Sequence, residues 1–257
     1  MTGWLDPVRA ALDEADGVQF FLRDDDIGWD DPGLFAVLDV VDAAGLPIDL
    51  AAIPCELGPR TAAALHDRHV VGGSDLLLHQ HGLAHANHER EGRKHEFGPS
   101  RSAAEQREDL AIGRALLTDV LEGSPVLDAG VFTPPWNRTS PDTPRLLAEL
   151  GFGVLSRDLT AGVAGVQGLA EVPVTVDWFA TRTVRGAGGD VVARRPVTQD
   201  ERGGLLAAAV ASGRPVGLML HHAVTGTADL ADLADVLGLV ARHPAVHPGH
   251  LAALAGA

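Results

Sequence analysis

What most constrains the fold of this chain is an alternation running from end to end, in which short apolar runs are separated by longer amphipathic stretches. The apolar runs fall at 18–23, 47–53, 75–80, 131–134, 153–156, 171–176 and 215–220, and helical patterns fill 32–44, 59–68, 102–121, 141–150, 198–211 and 227–242. Strands that alternate with helices pair in parallel through crossovers, so seven of them predict an α/β fold, either a barrel or a doubly wound sheet. Asp31 before Pro32 reads as a helix N-cap followed by an N1 proline, and Gly45 ends that helix. With 257 residues, 46% of them hydrophobic and 21% charged, and no repeat or linker, residues 1–257 read as one domain with a full core. Two longer polar segments, 82–101 and 183–195, read as loops.

Composition narrows the function. Thirty-five Asp and Glu against 20 Lys and Arg give a net charge of −15, which disfavours nucleic acid and anionic membranes as partners. Cys55 is the only cysteine, so thiolate metal clusters and intrachain disulfides are excluded. The opening MTGWLDPVRAALDEADG lacks the basic start and apolar core of an export signal, and no run of about 18 apolar residues is present. The expected location is therefore cytoplasmic.

Polar groups collect where the strands end, which is where parallel α/β folds bind ligands. The first strand runs into Asp24, Asp25 and Asp26, three adjacent carboxylates that repel one another. A bound cation gives them a reason to be there; a solvated acidic turn is the plainer alternative. The third strand runs into His81 and His85, four apart, so that one helical turn brings both imidazoles to one side, as a metal needs. A second such pair, His243 and His247, lies among prolines with no preceding strand and reads as a loop without function. After the fourth strand, Thr133-Pro134-Pro135-Trp136 forms either an aromatic wall for a sugar ring or a core tryptophan beside a stiff turn. Asp177-Trp178 and His221-His222 close the sixth and seventh strands.

In order, these clusters resemble the polysaccharide deacetylase family, carbohydrate esterases with a chitooligosaccharide-deacetylase homology domain. That family carries Asp-Asp after strand one, H-x-x-x-H after strand three, Arg-x-Pro, Asp-Trp and a late Leu-x-Leu-His. Asp25-Asp26, His81 to His85, Thr133 to Trp136, Asp177-Trp178 and Leu218 to His221 match in that order. The resemblance implies a distorted (β/α) barrel of about seven parallel strands and a hydrolase that removes an acyl group, above all N-acetyl, from an amino sugar or small amide. It also implies one divalent metal held by Asp26, His81 and His85, with zinc the first choice and cobalt, nickel or iron compatible with the same ligands. Asp25 takes the role of general base and His221 that of general acid, while Trp136, Asp177 and Trp178 bind or orient a small-molecule or oligosaccharide substrate. The choice of Asp25-Asp26 over Asp24-Asp25 rests on Ile27-Gly28, a string that related deacetylases carry after the pair. Thr133 stands where the family places an arginine that orients the base; Arg23, two residues before Asp25 on the same strand face, or Arg138 can substitute. Two other functions compete: hydrolysis of a non-sugar C–N amide bond, and a degenerate metal-binding sensor or scaffold.

Overall fold

The computed structural model describes residues 3–185 and 191–255. In chain order the elements are α1 (Asp6–Asp13), β1 (Val18–Ile27), α2 (Asp31–Ala44), β2 (Ile48–Ala52), α3 (Pro59–Val70), β3 (Leu76–His81), α4 (Ala103–Val120), β4 (Leu127–Thr133), α5 (Thr143–Glu149) and β5 (Val154–Leu155). They continue with β6 (Ala170–Glu171), β7 (Val176–Asp177), β8 (Thr181–Arg185), β9 (Val191–Pro196), α6 (Gln199–Ala211), β10 (Val216–His221), α7 (Thr227–Val240), β11 (Val246–Pro248) and α8 (Leu251–Leu254).

The main sheet runs β6-β5-β4-β3-β2-β1-β10-β7, with β11 added beside β1, and its pairings are parallel. Its two ends are consecutive pieces of one extended segment. Ala170 and Glu171 pair with β5, the amides of Val172 and Val174 donate to Leu155 and Arg157, and Thr175 then donates to Gly217 as the chain reaches β10. The apolar run predicted at 171–176 is thus a seam that serves both edges of a curled sheet, giving a distorted α/β barrel.

Helices cover the outside of the curl. The larger core packs Leu34, Val37, Leu38 and Val41 of α2 and Leu233, Val236 and Leu237 of α7 against the outward residues of the central strands, including Phe20, Leu22, Leu50 and Leu218. Inside the curl, Phe21, Val131, Val154, Val174 and Met219 meet Leu251, which α8 brings in from the C-terminal end. A side chain at Gly217 would collide with the Phe21 ring, so close approach of β10 to β1 requires glycine there. Ser102 and Thr198 each form a capping box with the glutamate three residues on, starting α4 and α6.

Several sequence expectations need correction. Asp31 is the first residue of α2 rather than its cap; Asp30 precedes it in the left-handed region, and Asp31 instead accepts a hydrogen bond from Thr61 at 2.6 Å. The segment 183–195 is not simply a loop: β8 and β9 pair antiparallel across it, although 186–190 lie outside the described residues. Most of the hairpin's side chains are exposed, so it carries no apolar alternation to read. His247 lies on a short strand, β11, which pairs with the start of β1. Among the described residues no helix is long and apolar enough to cross a membrane.

Candidate active site

The site forms where β1, β3 and β10 end, and strand register decides most of it. Asp25 of β1 lies level with His221 of β10, and His81 of β3 lies level with Thr133 of β4. On a regular strand Asp25 and Asp26 would face opposite sides. The pairing of β1 with β2 instead shifts between Asp24 and Ile27, and Asp26 adopts φ 69°. This bulge turns the Asp26 carboxylate toward His81.

The Asp26 Oδ1 atom lies 3.2 Å from Nε2 of His81 and 3.2 Å from Nε2 of His85. One ligand atom from each of the three residues lies within 4.8 Å of the others, and among the described residues no other such group of three forms. The Nδ1–H of buried His81 is positioned to donate to the Thr133 carbonyl at 3.0 Å, which leaves Nε2 as the free lone pair facing Asp26. Two imidazole nitrogens directed at one carboxylate oxygen is an arrangement completed by a cation among them, so this donor set fits a divalent metal. Burial, then the charge of His81, lowers the pKa of His85 to about 4, so its imidazole is neutral near pH 7.

His85 reaches this point without a helix. The two histidines do not share a helical turn: His81 ends β3, and His85 sits in the next loop at φ 54°. A buried carboxylate, Glu96, shapes that loop by accepting the amides of Ala84 at 2.8 Å, Leu83 at 3.1 Å and Ala86 at 3.3 Å. Gly82, at φ 63°, has no room for a Cβ beside the Glu96 carboxylate and Pro135. Trp29 and Trp136 flank the His85 ring, with centroids 4.9 and 4.4 Å away. Of the five non-glycine residues with positive φ among the described residues, Asp26, His85, Trp136 and Asn137 belong to this site, the clustering of backbone strain expected where geometry serves a ligand.

Arg23 and Asp25 form a fully buried bidentate pair, Nε to Oδ1 at 2.8 Å and Nη2 to Oδ2 at 2.9 Å. The remaining guanidinium donors reach Ser156 Oγ at 2.8 Å and Asn137 Oδ1 at 2.7 Å. Burial pushes the Asp25 pKa up, but the charges of Arg23, His81 and His221 outweigh it and hold the carboxyl at about 2. Of the two arginines that the sequence offered for holding Asp25, Arg23 is the one in contact with it. Thr133 instead accepts or donates at 2.8 Å to Nε2 of His79 behind the site. Arg138 does not bond Asp25; it donates to the Lys94 carbonyl at 3.1 Å.

His221, Asp177 and Trp136 line a cavity of about 490 Å³ beside this cluster. Burial raises the Asp177 pKa, against the hydrogen bond from the Phe179 amide and the charge of His221. The neighbouring His222 plays a different part. Its Nδ1 and backbone amide donate to Asp24 at 2.9 and 3.0 Å, and its Nε2 donates to the Trp29 carbonyl at 2.6 Å. Burial opposes charge on His222, but Asp24 raises its pKa to about 9. Trp178 does not belong to the site: it is buried in the main core, with the Arg202 guanidinium 4.1 Å over its ring. Strand alternation turns it away from Asp177, its neighbour in sequence.

Glu96, Ser156 and Asn137 are site residues that the sequence does not announce. Glu96 lies in a polar segment without periodicity; Ser156 and Asn137 are ordinary polar residues at strand ends whose partner, Arg23, is over a hundred residues away. Only the unusual length of the loop at 82–101 signals that something is built there.

No protein-family model matches the sequence, and no curated protein is similar to it. Solved structures do share the fold. A candidate polysaccharide deacetylase from Mycobacterium smegmatis superposes with a TM-score of 0.68 at 17% identity, over 95% of this chain and 91% of that one. A family 4 acetyl xylan esterase from Clostridium thermocellum, in complex with a cobalt ion, gives a TM-score of 0.55 at 17% identity, over 92% and 89%. A family 4 carbohydrate esterase from Streptomyces lividans, in complex with acetate, gives 0.52 at 15%, over 91% and 93%.

Proposed function

We propose that the protein is a metal-dependent hydrolase of the polysaccharide deacetylase type, removing an acyl group, by preference N-acetyl, from an amino sugar or small amide. The observation that carries this reading is the convergence of Asp26, His81 and His85 on one point, beside an ionised Asp25 and across from His221. The sharing of the fold with deacetylases and esterases supports it.

Asp26, His81 and His85 would hold the ion, with zinc the first choice and cobalt, nickel or iron admissible for the same ligands. Such an ion supplies Lewis acidity, acidifying water and polarising an acyl carbonyl. The chain's own groups do the rest. Asp25, held in one orientation by both arms of Arg23, is the proton acceptor for the attacking water. His221 faces the cavity from the neighbouring strand and donates a proton to the departing nitrogen or oxygen, with the Asp177 carboxyl close enough to interact with its charge. Trp136 offers an apolar face to the substrate ring at the cavity wall.

The test joins metal content to turnover. Protein purified without a polyhistidine tag should carry about one divalent ion per chain and release acetate from N-acetyl amino sugars or small amides. Folded protein that takes up no metal at all sinks the reading. Metal bound without turnover of any acylated amine points to a scaffold instead.

A further inference from the structure

The cavity beside the site continues past Asn137 and Arg138 into a recess of about 120 Å³. Three arginines, Arg93, Arg138 and Arg157, line it together with His95 against a single carboxylate, Asp158. Two of these charges are already engaged. Arg157 is paired with Glu171, and Asp158 accepts the Thr160 amide at 2.7 Å and its hydroxyl at 2.5 Å. Arg93 and Arg138 are different. Among the described residues neither forms an ion pair; Arg138 reaches only a backbone carbonyl, and its Nε is buried without a partner. Lys94 adds a further cation nearby, its ammonium 5.7 Å from the centre of the ring of Trp136, which lines the adjoining cavity.

In a chain of net charge −15, cations crowded at the edge of a cavity rather than spread among the abundant carboxylates are a costly arrangement. Burial, and then the charge of Arg93, lowers the pKa of Arg138 against the opposing charge of Asp158. A guanidinium fork matches the two oxygens of a carboxylate or phosphate, and an oxyanion seated here would relieve the repulsion. We propose that the recess is an anion subsite, in which Arg93 and Arg138 hold an oxyanion, carboxylate or phosphate, carried by the substrate whose acyl end lies at the metal cluster. The second half rests on the hydrolase reading; the subsite itself does not. The cavity joins the two, since Arg138, Trp136 and His221 share its wall.

The experiment has a binding arm and a kinetic arm. Inorganic phosphate is titrated calorimetrically into the full chain at constant ionic strength, and into Arg93→Gln and Arg138→Gln. Saturable binding, weakened at least about tenfold in each variant, is expected. Acetate release is then compared among N-acetylglucosamine, its 6-phosphate and N-acetylmuramic acid. At least one anionic substrate should exceed the neutral one about tenfold in kcat/KM, and Arg93→Gln should erase most of that preference; the faster of the two identifies the oxyanion. Absence of phosphate binding, binding unchanged in both variants, or equal rates on neutral and anionic substrates would overturn the proposal. Phosphate binding as expected, with no acetate from any compound, would keep the subsite and remove the hydrolase reading alone.

Discussion

At the scale of single residues, adjacent side chains of the same type are separated by what they touch. Asp24, Asp25 and Asp26 are consecutive carboxylates, yet Asp24 bonds His222, Asp25 bonds Arg23 and Asp26 faces His81 and His85. Their variants should fail differently. Asp26→Ala should lose metal and activity together, whereas Asp25→Asn should keep metal while turnover falls about 10²–10⁴-fold; metal analysis on both variants decides it. Metal lost from the second and kept in the first would move the ligand one residue earlier. His221 and His222 divide in the same way. His221→Ala should lower turnover by about 10²–10⁴ with little change in unfolding midpoint. His222→Ala strands the buried Asp24 carboxylate, and denaturant unfolding should show a loss of about 3–5 kcal/mol. Comparable stability of the two variants would contradict the buried-pair assignment.

At the scale of elements, the site is set by a bulge and a loop on an otherwise regular sheet. The parallel pairing of β1 with β10 brings Asp25 beside His221 by register alone. Placing His85 is harder, because a loop residue has no ladder to hold it. Glu96 supplies the missing order by collecting three amides from the loop that carries His85. Glu96→Gln removes the charge and leaves one neutral acceptor oxygen in place of two while keeping the shape, so metal affinity should drop about 10–100-fold, read by competition with a chelating dye. An unchanged affinity would mean that the tryptophans flanking His85 suffice to hold it. The helix expected to join His81 and His85 is absent because β3 continues through His81 and Gly82 turns sharply left-handed after it. Spacing by four is shared by a helical turn and by many loops, so the pair was legible in the sequence but its geometry was not.

At the scale of the whole molecule, the chain's C-terminal segment closes the end of the barrel opposite the site. Leu251 plugs the interior, its amide donates to Asp49 at 3.0 Å, and His250 bridges Asp49 and Asp75 at 3.3 and 3.0 Å. Burial opposes charge on His250, but the two carboxylates raise its pKa from 6.5 to about 9. A raised folded-state value means that this contribution is complete below about pH 6.5 and is lost as pH rises through about 9. Thermal unfolding of His250→Gln should therefore show a shallower loss of stability than the parent over that window; parallel curves would refute the linkage. By itself the sequence determined the α/β alternation, the strands that carry chemistry, the metal-ligand candidates and, through alternation on β1, that Arg23 was one of two arginines able to reach Asp25; the structure chose it over Arg138. These are local patterns, written in the period of apolar residues and in the polar residues at the end of each run. Only the tertiary structure decided that Trp178 is core while Asp177 faces the cavity, that Arg138 lines the cavity and the adjoining recess rather than holding Asp25, that His222 is a buried partner of Asp24, and that 170–177 is the seam of the barrel. Each of those depends on which distant strand lies alongside, and the contacts of a side chain across a sheet leave no period in the sequence that encodes it.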